Sequence, residues 1–440
     1  MQSSALGLLT GVPFLGLLAS MAALPVIAPR FWHRRMALVA AVWIAALVAL
    51  QTLTTGLAVA TAAVWHAMVI DYLPFMALML ALYTAAGGVL LRGGFAGTPA
   101  GNTAMLVVGM GLGLLMGTIG ASMVLIHPLL RANAHRRRKV HLVLFLIVLV
   151  ANASGALTPL GNPPLYLGLL HGVPFFWPAL HLAAPLFVVA GLLLVAFYLL
   201  DRHLAADEPR APPPERFRVR GWGNIVLILL VVAVVLAQGL VPSRNLVLLG
   251  QSVAVVELGS TGVLLLVAVI SSASTARAVR QANDFSWQPM IEVAILFAAI
   301  FVTIAPVEQM LEAGLDGPLA SVLRLARGGD GQNWPMAYFW LTGILSAFLD
   351  NAPTYLVFFR MAGIQPPALS DADAATLAAI SAGAVFFGGL TYIGNAPNMM
   401  LRAIAAHRGV RMPGFFGFLL MAAGLLLPVF VLVSLIFFSG

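Results

Sequence analysis

Two stretches of sequence decide the fold: Thr158-Pro-Leu-Gly161-Asn162-Pro163-Pro164 and Thr391-Tyr-Ile-Gly394-Asn395-Ala396-Pro397. Both read T-x-x-G-N-[P/A]-P, and both lie inside long apolar runs. Proline has no amide hydrogen and the residue before it resists α-helical geometry, so each run is predicted to be a helix broken near its middle. Lipid tolerates such a break only where the freed backbone groups face protein, water or a bound ion. One break in each half of the chain predicts a transporter with internal repeats and a site near the membrane midplane.

The composition is that of an integral membrane protein. Hydrophobic residues make up 61% of the 440 residues and charged residues 9%, and the mean hydropathy is +1.00. A chain of this length has room for about ten spans of roughly 20 residues each. The absence of cysteine excludes disulfides, thiolate metal sites and cysteine nucleophiles. The net charge of +8 does not indicate nucleic-acid binding, because the basic residues lie in short loops between apolar runs.

The order of apolar runs and motifs divides the chain into two similar halves. Thr118 and Thr158 are 40 residues apart, and Asp350 and Thr391 are 41 residues apart. In each half an apolar run interrupted by small or polar residues precedes the broken helix and is predicted to be a re-entrant hairpin. The predicted parts are a first repeat at 1–200 with a hairpin at 103–133 and a broken helix at 141–181, a cytoplasmic linker at 201–221, and a second repeat at 222–440 with a hairpin at 334–361 and a broken helix at 374–406.

The basic residues predict the topology. With the N-terminus outside and about ten crossings, most of the 23 basic residues fall in inside loops. Those left outside are Arg244, Arg324, Arg327 and Arg360. Five crossings per half make the two repeats inverted relative to each other. The predicted fold class is therefore an all-α polytopic membrane protein with two inverted five-span repeats, each containing a re-entrant hairpin and a broken helix. Both termini are predicted to be periplasmic.

The tip of the second hairpin carries the leading functional residue. Asp350 follows an apolar run, and placing a carboxylate in the membrane costs on the order of 3 kcal/mol. It is expected either to bind a cation and a proton in turn or to cap the helix that begins near Pro353, and these two roles are compatible. Asn351 and Thr354 lie at the same tip. In the first hairpin the counterparts of Asp350 and Thr354 are predicted to be Thr118 and Ser122, whose hydroxyl oxygens either bind an ion or pack as small residues.

The broken helices are predicted to supply the rest of the site. Their backbone and side-chain oxygens suit a hard cation such as Na⁺, whereas their half-helix amides could hold an anionic group. The predicted site-lining residues there are Thr158, Gly161, Asn162, Thr391, Gly394 and Asn395. A Na⁺ ion is expected near Thr118, Asn162, Asn351 and Asn395. Asp71 and Glu292, in the first turns of their predicted spans, are further candidates for carrying a proton or for capping those spans.

Enzyme signatures do not occur in the sequence. It contains neither a P-loop nor an H-E-x-x-H motif, so the chain is expected to be a transporter without a bound cofactor, with Na⁺ or H⁺ as coupling ion. The interpretation from a different class is an intramembrane enzyme or a receptor-like subunit. Either would need no inverted repeats and would act without an ion gradient.

The motifs resemble those of the ion transporter superfamily. The segments at 117–123, 154–164, 346–355 and 391–397 are most similar to a bacterial branch described as sodium/proton antiporters or citrate transporters, and the resemblance covers essentially the whole chain. It implies inverted repeats, re-entrant hairpins and broken helices around Na⁺ sites, a scaffold that dimerises, and an elevator-type movement. Dicarboxylate carriers of this superfamily have Ser-Asn-Thr at both hairpin tips. This chain has Thr118-Ile119-Gly120 and Asp350-Asn351-Ala352, which is more similar to the antiporters.

The sequence therefore predicts a secondary transporter of the bacterial inner membrane that exchanges Na⁺ or Li⁺ for H⁺ and forms a homodimer. The alternative within the same class is a cation-coupled carrier of citrate or other carboxylates. That alternative is less favoured because an acidic hairpin tip repels a multiply charged anion and because no basic residue clearly falls at the midplane. Arg131 and Arg360, at hairpin ends, are the nearest.

Overall fold

Helices make up most of the chain in this computed structural model, which describes residues 8–213, 216–242, 244–248, 251–314, 317–328, 331–366 and 369–439. Outside the described residues lie 1–7 of the predicted first repeat, 214–215 of the predicted linker, and 243, 249–250, 315–316, 329–330, 367–368 and 440 of the predicted second repeat. The helices are α1 (Val12–Ile27), α2 (Pro29–Thr55), α3 (Leu57–His66), α4 (Leu73–Gly87), α5 (Pro99–Ala132), α6 (Val140–Phe145), α7 (Pro163–Leu170), α8 (Trp177–Ala205), α9 (Trp222–Leu240), α10 (Val255–Ser274), α11 (Arg277–Ala282), α12 (Gln288–Glu312), α13 (Ala320–Leu325), α14 (Pro335–Phe348), α15 (Asn351–Met361), α16 (Asp371–Phe387), α17 (Ala396–His407) and α18 (Phe415–Phe437).

The helices have the lengths and apolar composition of membrane spans. Nine helices within the described residues are long and apolar enough to cross a bilayer, and α1, α14 and the segment Val140–Ala156 are shorter apolar helices. A π-helical turn, Ala67–Tyr72, joins α3 and α4 into one segment of 31 residues. The chain is a multi-pass membrane protein.

One of these nine helices, α5, is a hairpin and not a straight span. Asn102 and Asn133 exchange two side-chain hydrogen bonds of 3.0 and 2.7 Å, although a straight helix would hold them roughly 46 Å apart. The helix reverses at Gly117, whose φ of 72° lies in the left-handed region. A side chain there would be strained, and a Cβ would meet Leu160 O at 3.1 Å. α5 starts before the 103–133 expected from the sequence, because Thr98 caps it, accepting a hydrogen bond of 3.1 Å from Gly101 N, and Pro99 suits the first turn of a helix.

A second hairpin is formed by α14 and α15. The Asn333 side chain donates to Ala362 O at 2.9 Å across the open end, and the rings of Tyr338 and Phe358 meet edge to face with centroids 6.3 Å apart. At the tip Asp350 caps α15, accepting a hydrogen bond of 3.3 Å from Ala352 N.

The broken segments follow the two hairpins. In the first, α6 passes through a π-helical turn and a 3₁₀ turn before Asn162 adopts extended geometry and α7 begins at Pro163. In the second, α16 ends in a 3₁₀ turn and Asn395 is extended before α17. The predicted range 141–181 is wrong at its C-terminal end, because α7 stops at Leu170 and Trp177 already begins α8. The cause is the apolar sequence, which does not distinguish the end of a half-helix from the start of the next span.

The predicted linker is also wrong at its N-terminal end. Asp201 belongs to α8 and is fully buried. Its carboxylate pairs with Arg136 and with His141, whose Nε2 lies 2.8 Å away. It also accepts a hydrogen bond of 2.9 Å from Asn102 Nδ2. At the other end Arg218–Arg220 forms a strand, β2, that pairs with β1 (Leu90–Arg92). A paired carboxylate can be buried where an isolated one could not, and the sequence does not show the pairing.

The core lies where the hairpins pack on the broken segments. In the segment Asp371–Leu390, 83% of the most apolar window is buried, compared with 17% for α2. Phe339 of α14 and Phe387 of α16 meet edge to face with centroids 5.2 Å apart. A second two-stranded ribbon, β3 (Asn245–Leu248) with β4 (Gln251–Ala254), connects α9 to α10. The helices with little burial expose an apolar surface that suits lipid.

Candidate functional site

The two threonines of the T-x-x-G-N motifs tie each broken segment to the hairpin before it. Thr158 Oγ1 donates to Leu114 O at 2.8 Å, and Thr391 Oγ1 donates to Ala347 O. In both halves donor and acceptor are 44 residues apart. The same motif therefore performs the same task twice: its hydroxyl satisfies a carbonyl that the hairpin arm leaves free near its tip.

The glycines of the motifs allow the backbone at each break to pack against itself. A Cβ on Gly161 would lie 2.6 Å from Gly155 O, and a Cβ on Gly394 would lie 2.8 Å from Gly388 O. Both distances are shorter than any that a real Cβ atom makes, so no side chain fits at Gly161 or Gly394. Gly161 and Gly394 therefore shape the site through their backbone rather than by filling it.

These matching bonds change the predicted register between the hairpin tips. Gly117 and Asp350 each lie three residues after the carbonyl that receives the threonine bond, and each immediately precedes the second arm of its hairpin. Thr118 therefore corresponds to Asn351, not to Asp350. The position of the carboxylate in the second hairpin is occupied in the first by a glycine in left-handed geometry.

Thr118 lies at a small polar centre between the first hairpin and the first break. Its backbone N–H donates to Gly161 O at 3.0 Å, and its hydroxyl is buried without a hydrogen-bond partner among the described residues. A cavity of about 20 Å³, lined by Gly117, Thr118 and Gly161, lies beside it. Such a space holds about one water molecule or a small ion.

A hydrogen bond between the halves lies next to this centre. Asn351 Nδ2 donates to Asn162 Oδ1 at 2.7 Å, and both residues are fully buried. Asn162 Nδ2 and Asn351 Oδ1 have no partner among the described residues. Buried polar groups of this kind are costly unless a ligand or water completes their bonds.

Asp350 and Asn395 line a larger cavity of about 140 Å³. Glu292 lines it too and lies near its mouth, where its carboxylate is 3.8 Å from His33 Nδ1 and accepts 3.0 Å from Gln288 Nε2. The ionisable residues among the described residues of its lining are two carboxylates, a histidine and a tyrosine. The structure thus brings Glu292 and Asp350 to one acidic cavity with room for several water molecules.

The hydroxyls of Ser122 and Thr354 bond within their own helices. Ser122 Oγ donates to Thr118 O at 2.6 Å, and Thr354 Oγ1 donates to Asp350 O at 3.1 Å. Their hydrogens are committed one turn back, so only their oxygen lone pairs remain for an ion.

Asp71 is separate from these centres. It does not lie in the first turn of its span, as expected, but in the π-helical turn in the middle of the segment Leu57–Gly87. It lines a different cavity, of about 200 Å³, with Glu308 and Arg360. Arg360 Nε pairs with Glu308 Oε1 at 3.4 Å, and His66 Nε2 is 4.0 Å from Asp71. The expectation was wrong because this segment begins at Leu57, more than three helical turns before Asp71.

Two site residues were missed by sequence reasoning, Asn152 and Asn398. Both are fully buried, and they bond to each other through Asn152 Nδ2 and Asn398 Oδ1 at 2.9 Å. Asn152 also accepts from Asn395 Nδ2 at 3.1 Å. The sequence does hold a signal for them: Asn152 lies in the apolar run just before the first motif, and Asn398 directly follows the second motif. An asparagine in such a run is costly to bury without a specific partner.

Comparison with known families gives one finding over nearly the whole chain. The family profile described as "Putative citrate transport" matches residues 3–438. No curated protein sequence matches the chain.

Proposed function

The chain belongs to the family described as "Putative citrate transport", and from that premise we propose that it is a secondary transporter that exchanges Na⁺ or Li⁺ for H⁺. The observation that carries this proposal is the acidic cavity formed by Asp350, Asn395 and Glu292. A carboxylate and an amide oxygen at the end of a broken helix form a donor set for a hard cation.

The exchange would depend on one carboxylate with two states. Ionised Asp350 attracts a cation to the cavity, and protonated Asp350 is neutral and releases it. A buried carboxylate that binds neither a cation nor a proton is costly in a membrane protein. The cation and the proton therefore compete for Asp350. Glu292, at the mouth of the same cavity, would guide cations inward, because neighbouring carboxylates raise the local cation concentration. The hydroxyl of Thr118 and the amides of Asn162 and Asn351 would bind a second ion or a water molecule.

We propose that the movement is of the elevator type, with the hairpins and broken segments as the moving unit. The matching 44-residue bonds support two equivalent repeats, and the distribution of basic residues supports an inverted arrangement. In that topology the protein lies in a bacterial inner membrane with both termini in the periplasm. Weakly buried helices such as α2 would contact lipid or a second copy in a homodimer. Light scattering in detergent tests the dimer, and a mass of one chain would contradict it.

The second candidate is a cation-coupled carrier of citrate or a similar carboxylate, and the family description favours it. The N-terminus of α17, which begins at Ala396 beside the second break, could receive a carboxylate, whereas α7 begins with two prolines that have no N–H to offer. Asp350 and Glu292, the two acidic residues that line the 140 Å³ cavity, oppose a multiply charged anion. Binding of citrate there would require a bound cation or protonation of those residues.

Everted membrane vesicles with a preformed pH gradient distinguish the two. Collapse of the gradient by Na⁺ or Li⁺, but not by K⁺ or citrate, is the expected result. Citrate uptake that depends on Na⁺ or H⁺, without any response to cations alone, would replace the antiporter by the carboxylate carrier. A response to neither cations nor citrate would refute both.

A further inference from the structure

The side-chain amide of Asn395 has a fixed orientation. Its Nδ2 donates to Ala151 O at 2.9 Å and to Asn152 Oδ1 at 3.1 Å. Both amide hydrogens are therefore committed to the first broken segment. Asn395 Oδ1 accepts no hydrogen bond from the described residues, and Asn395 lines the cavity that contains Asp350. The oxygen is the atom left to meet a ligand.

Asn152 is itself held by two bonds. Its Nδ2 donates to Ile147 O at 2.8 Å and to Asn398 Oδ1 at 2.9 Å. Its oxygen is thereby turned toward Asn395. If the Asn152 amide rotated by half a turn, its Nδ2 would face Asn395 Nδ2, so two donors would meet and the buried hydrogen bonds of Asn152 would be lost.

Asn398 completes the chain of amides. Its Nδ2 donates to Gly388 O at 2.7 Å and to Thr391 O at 2.8 Å, both on the second broken segment. The three asparagines thus run from the backbone of one break to the backbone of the other. In such a network each amide fixes the direction of the next.

The fold of a broken segment does not require an asparagine at either of these two positions. Counting from the paired glycines Gly155 and Gly388, the residue that corresponds to Asn152 in the second half is Val385. By the same register Leu165 corresponds to Asn398. Leu165 is buried at the first break and Val385 is buried at the second. A buried asparagine is more costly than a valine or a leucine, so Asn152 at the first break and Asn398 at the second, which bond to each other, point to a task beyond the fold of either break.

We propose that Asn152 and Asn398 are positioning residues that hold Asn395 Oδ1 toward the cavity of Asp350, as an oxygen ligand for Na⁺ or Li⁺. This assignment rests on the proposed cation transport. Each residue acts through Asn395 without touching the ion. Their loss leaves the carboxylate in place and frees the Asn395 amide to present its N–H₂ group, which repels a cation.

The test uses the purified full-length protein and the variants Asn152→Val and Asn398→Leu, which copy the matching residues of the other half. Ser346→Ala is the control, because it removes one buried hydrogen bond, from Ser346 Oγ to Ala384 O, on α14. Binding of Na⁺ alone is measured by calorimetry. Half-saturating Na⁺ and maximal rate are measured separately in proteoliposomes, and thermal stability is followed for every protein.

The expected result is a Na⁺ affinity reduced about 10-fold or more in both asparagine variants, with the maximal rate at saturating Na⁺ changed far less. The control should keep wild-type affinity. The positioning role would be overturned if the wild-type protein binds Na⁺ and the asparagine variants, being as stable as the control, bind it with the same affinity. Should one variant not fold, the other decides, since each breaks a different bond of the network. Absence of Na⁺ binding by the wild-type protein would instead overturn the proposed function.

Discussion

In the second half of the chain the side chain of Asn395 bonds to a backbone carbonyl and to Asn152, whereas among the described residues the side chain of its counterpart Asn162 bonds to Asn351 alone. Asn351 belongs to the tip of the opposite hairpin. The surroundings of Asn395 therefore stay the same as long as the two broken segments stay together, and those of Asn162 change if the second hairpin tip moves. Two breaks with one backbone design thus provide one fixed and one adjustable polar centre.

The hairpin tips differ in the same way. Asp350, with φ of −59°, caps its helix with a side chain, and Gly117, with φ of 72°, has none. Negative charge is confined to one tip, and the first centre has only neutral oxygens and amides. In the proposed mechanism the charged centre responds to protons and the neutral one does not.

The largest expected effect comes from removing that charge. Asp350→Asn should lower Na⁺- or Li⁺-dependent collapse of the pH gradient by more than about 100-fold, on the scale of a lost acid–base group, because the neutral amide cannot exchange a proton for a cation. The measurement is fluorescence dequenching in everted vesicles at matched expression. Asp371→Asn, at an exposed carboxylate in the first turn of α16, is the control and should be silent. Undiminished exchange in Asp350→Asn would remove this carboxylate from the mechanism.

The threonines compare the two breaks directly. Thr391 Oγ1 accepts from the backbone N–H groups of Ile393 and Gly394 and donates to Ala347 O, whereas Thr158 Oγ1 accepts from Gly161 N and donates to Leu114 O. Thr391 is also the more deeply buried.

We therefore expect Thr391→Val to lower the free energy of unfolding by about 2–3 kcal/mol and Thr158→Val by about 1 kcal/mol. Denaturant titration of the detergent-solubilised variants measures both. Equal losses would mean that the breaks are equally tied to their hairpins.

Gly117→Ala tests the geometry of the first tip. An alanine in left-handed geometry costs roughly 1–2 kcal/mol, and its Cβ would also meet Leu160 O at 3.1 Å. Thermal unfolding should show this loss. Gly111→Ala is the control on the same hairpin, because its Cβ would meet nothing within 4 Å. If both variants unfold at the wild-type temperature, the tip is not constrained as described.

The smallest expected effect is the coupling between Asn162 and Asn351. A double-mutant cycle with Asn162→Ala and Asn351→Ala should give an interaction of about 0.5–1.5 kcal/mol for their 2.7 Å bond. Repeating it with Asn395→Ala in place of Asn162→Ala should give additive losses, because no hydrogen bond joins Asn395 to Asn351 among the described residues. Additivity in both cycles would remove the distinction between a fixed and an adjustable centre.

The sequence by itself determined the membrane class, the two breaks and the prominence of Asp350. These follow from local rules: apolar runs of bilayer length, prolines that cannot continue a helix, and a carboxylate where lipid would reject one. The motifs at the breaks and at the hairpin tips also indicated a resemblance to a transporter family, and the family match over residues 3–438 confirms it.

Only the tertiary structure decided which polar groups meet. The Asn152–Asn395–Asn398 network joins positions up to 246 residues apart, and the pairing that permits burial of Asp201 spans 65 residues to Arg136. The structure also places Asp71 in the middle of a long helix and pairs Thr118 with Asn351, one residue away from the predicted register. Side-chain bonds between distant segments leave no periodic trace in a sequence, because each depends on the packing of two helices whose own patterns record only burial.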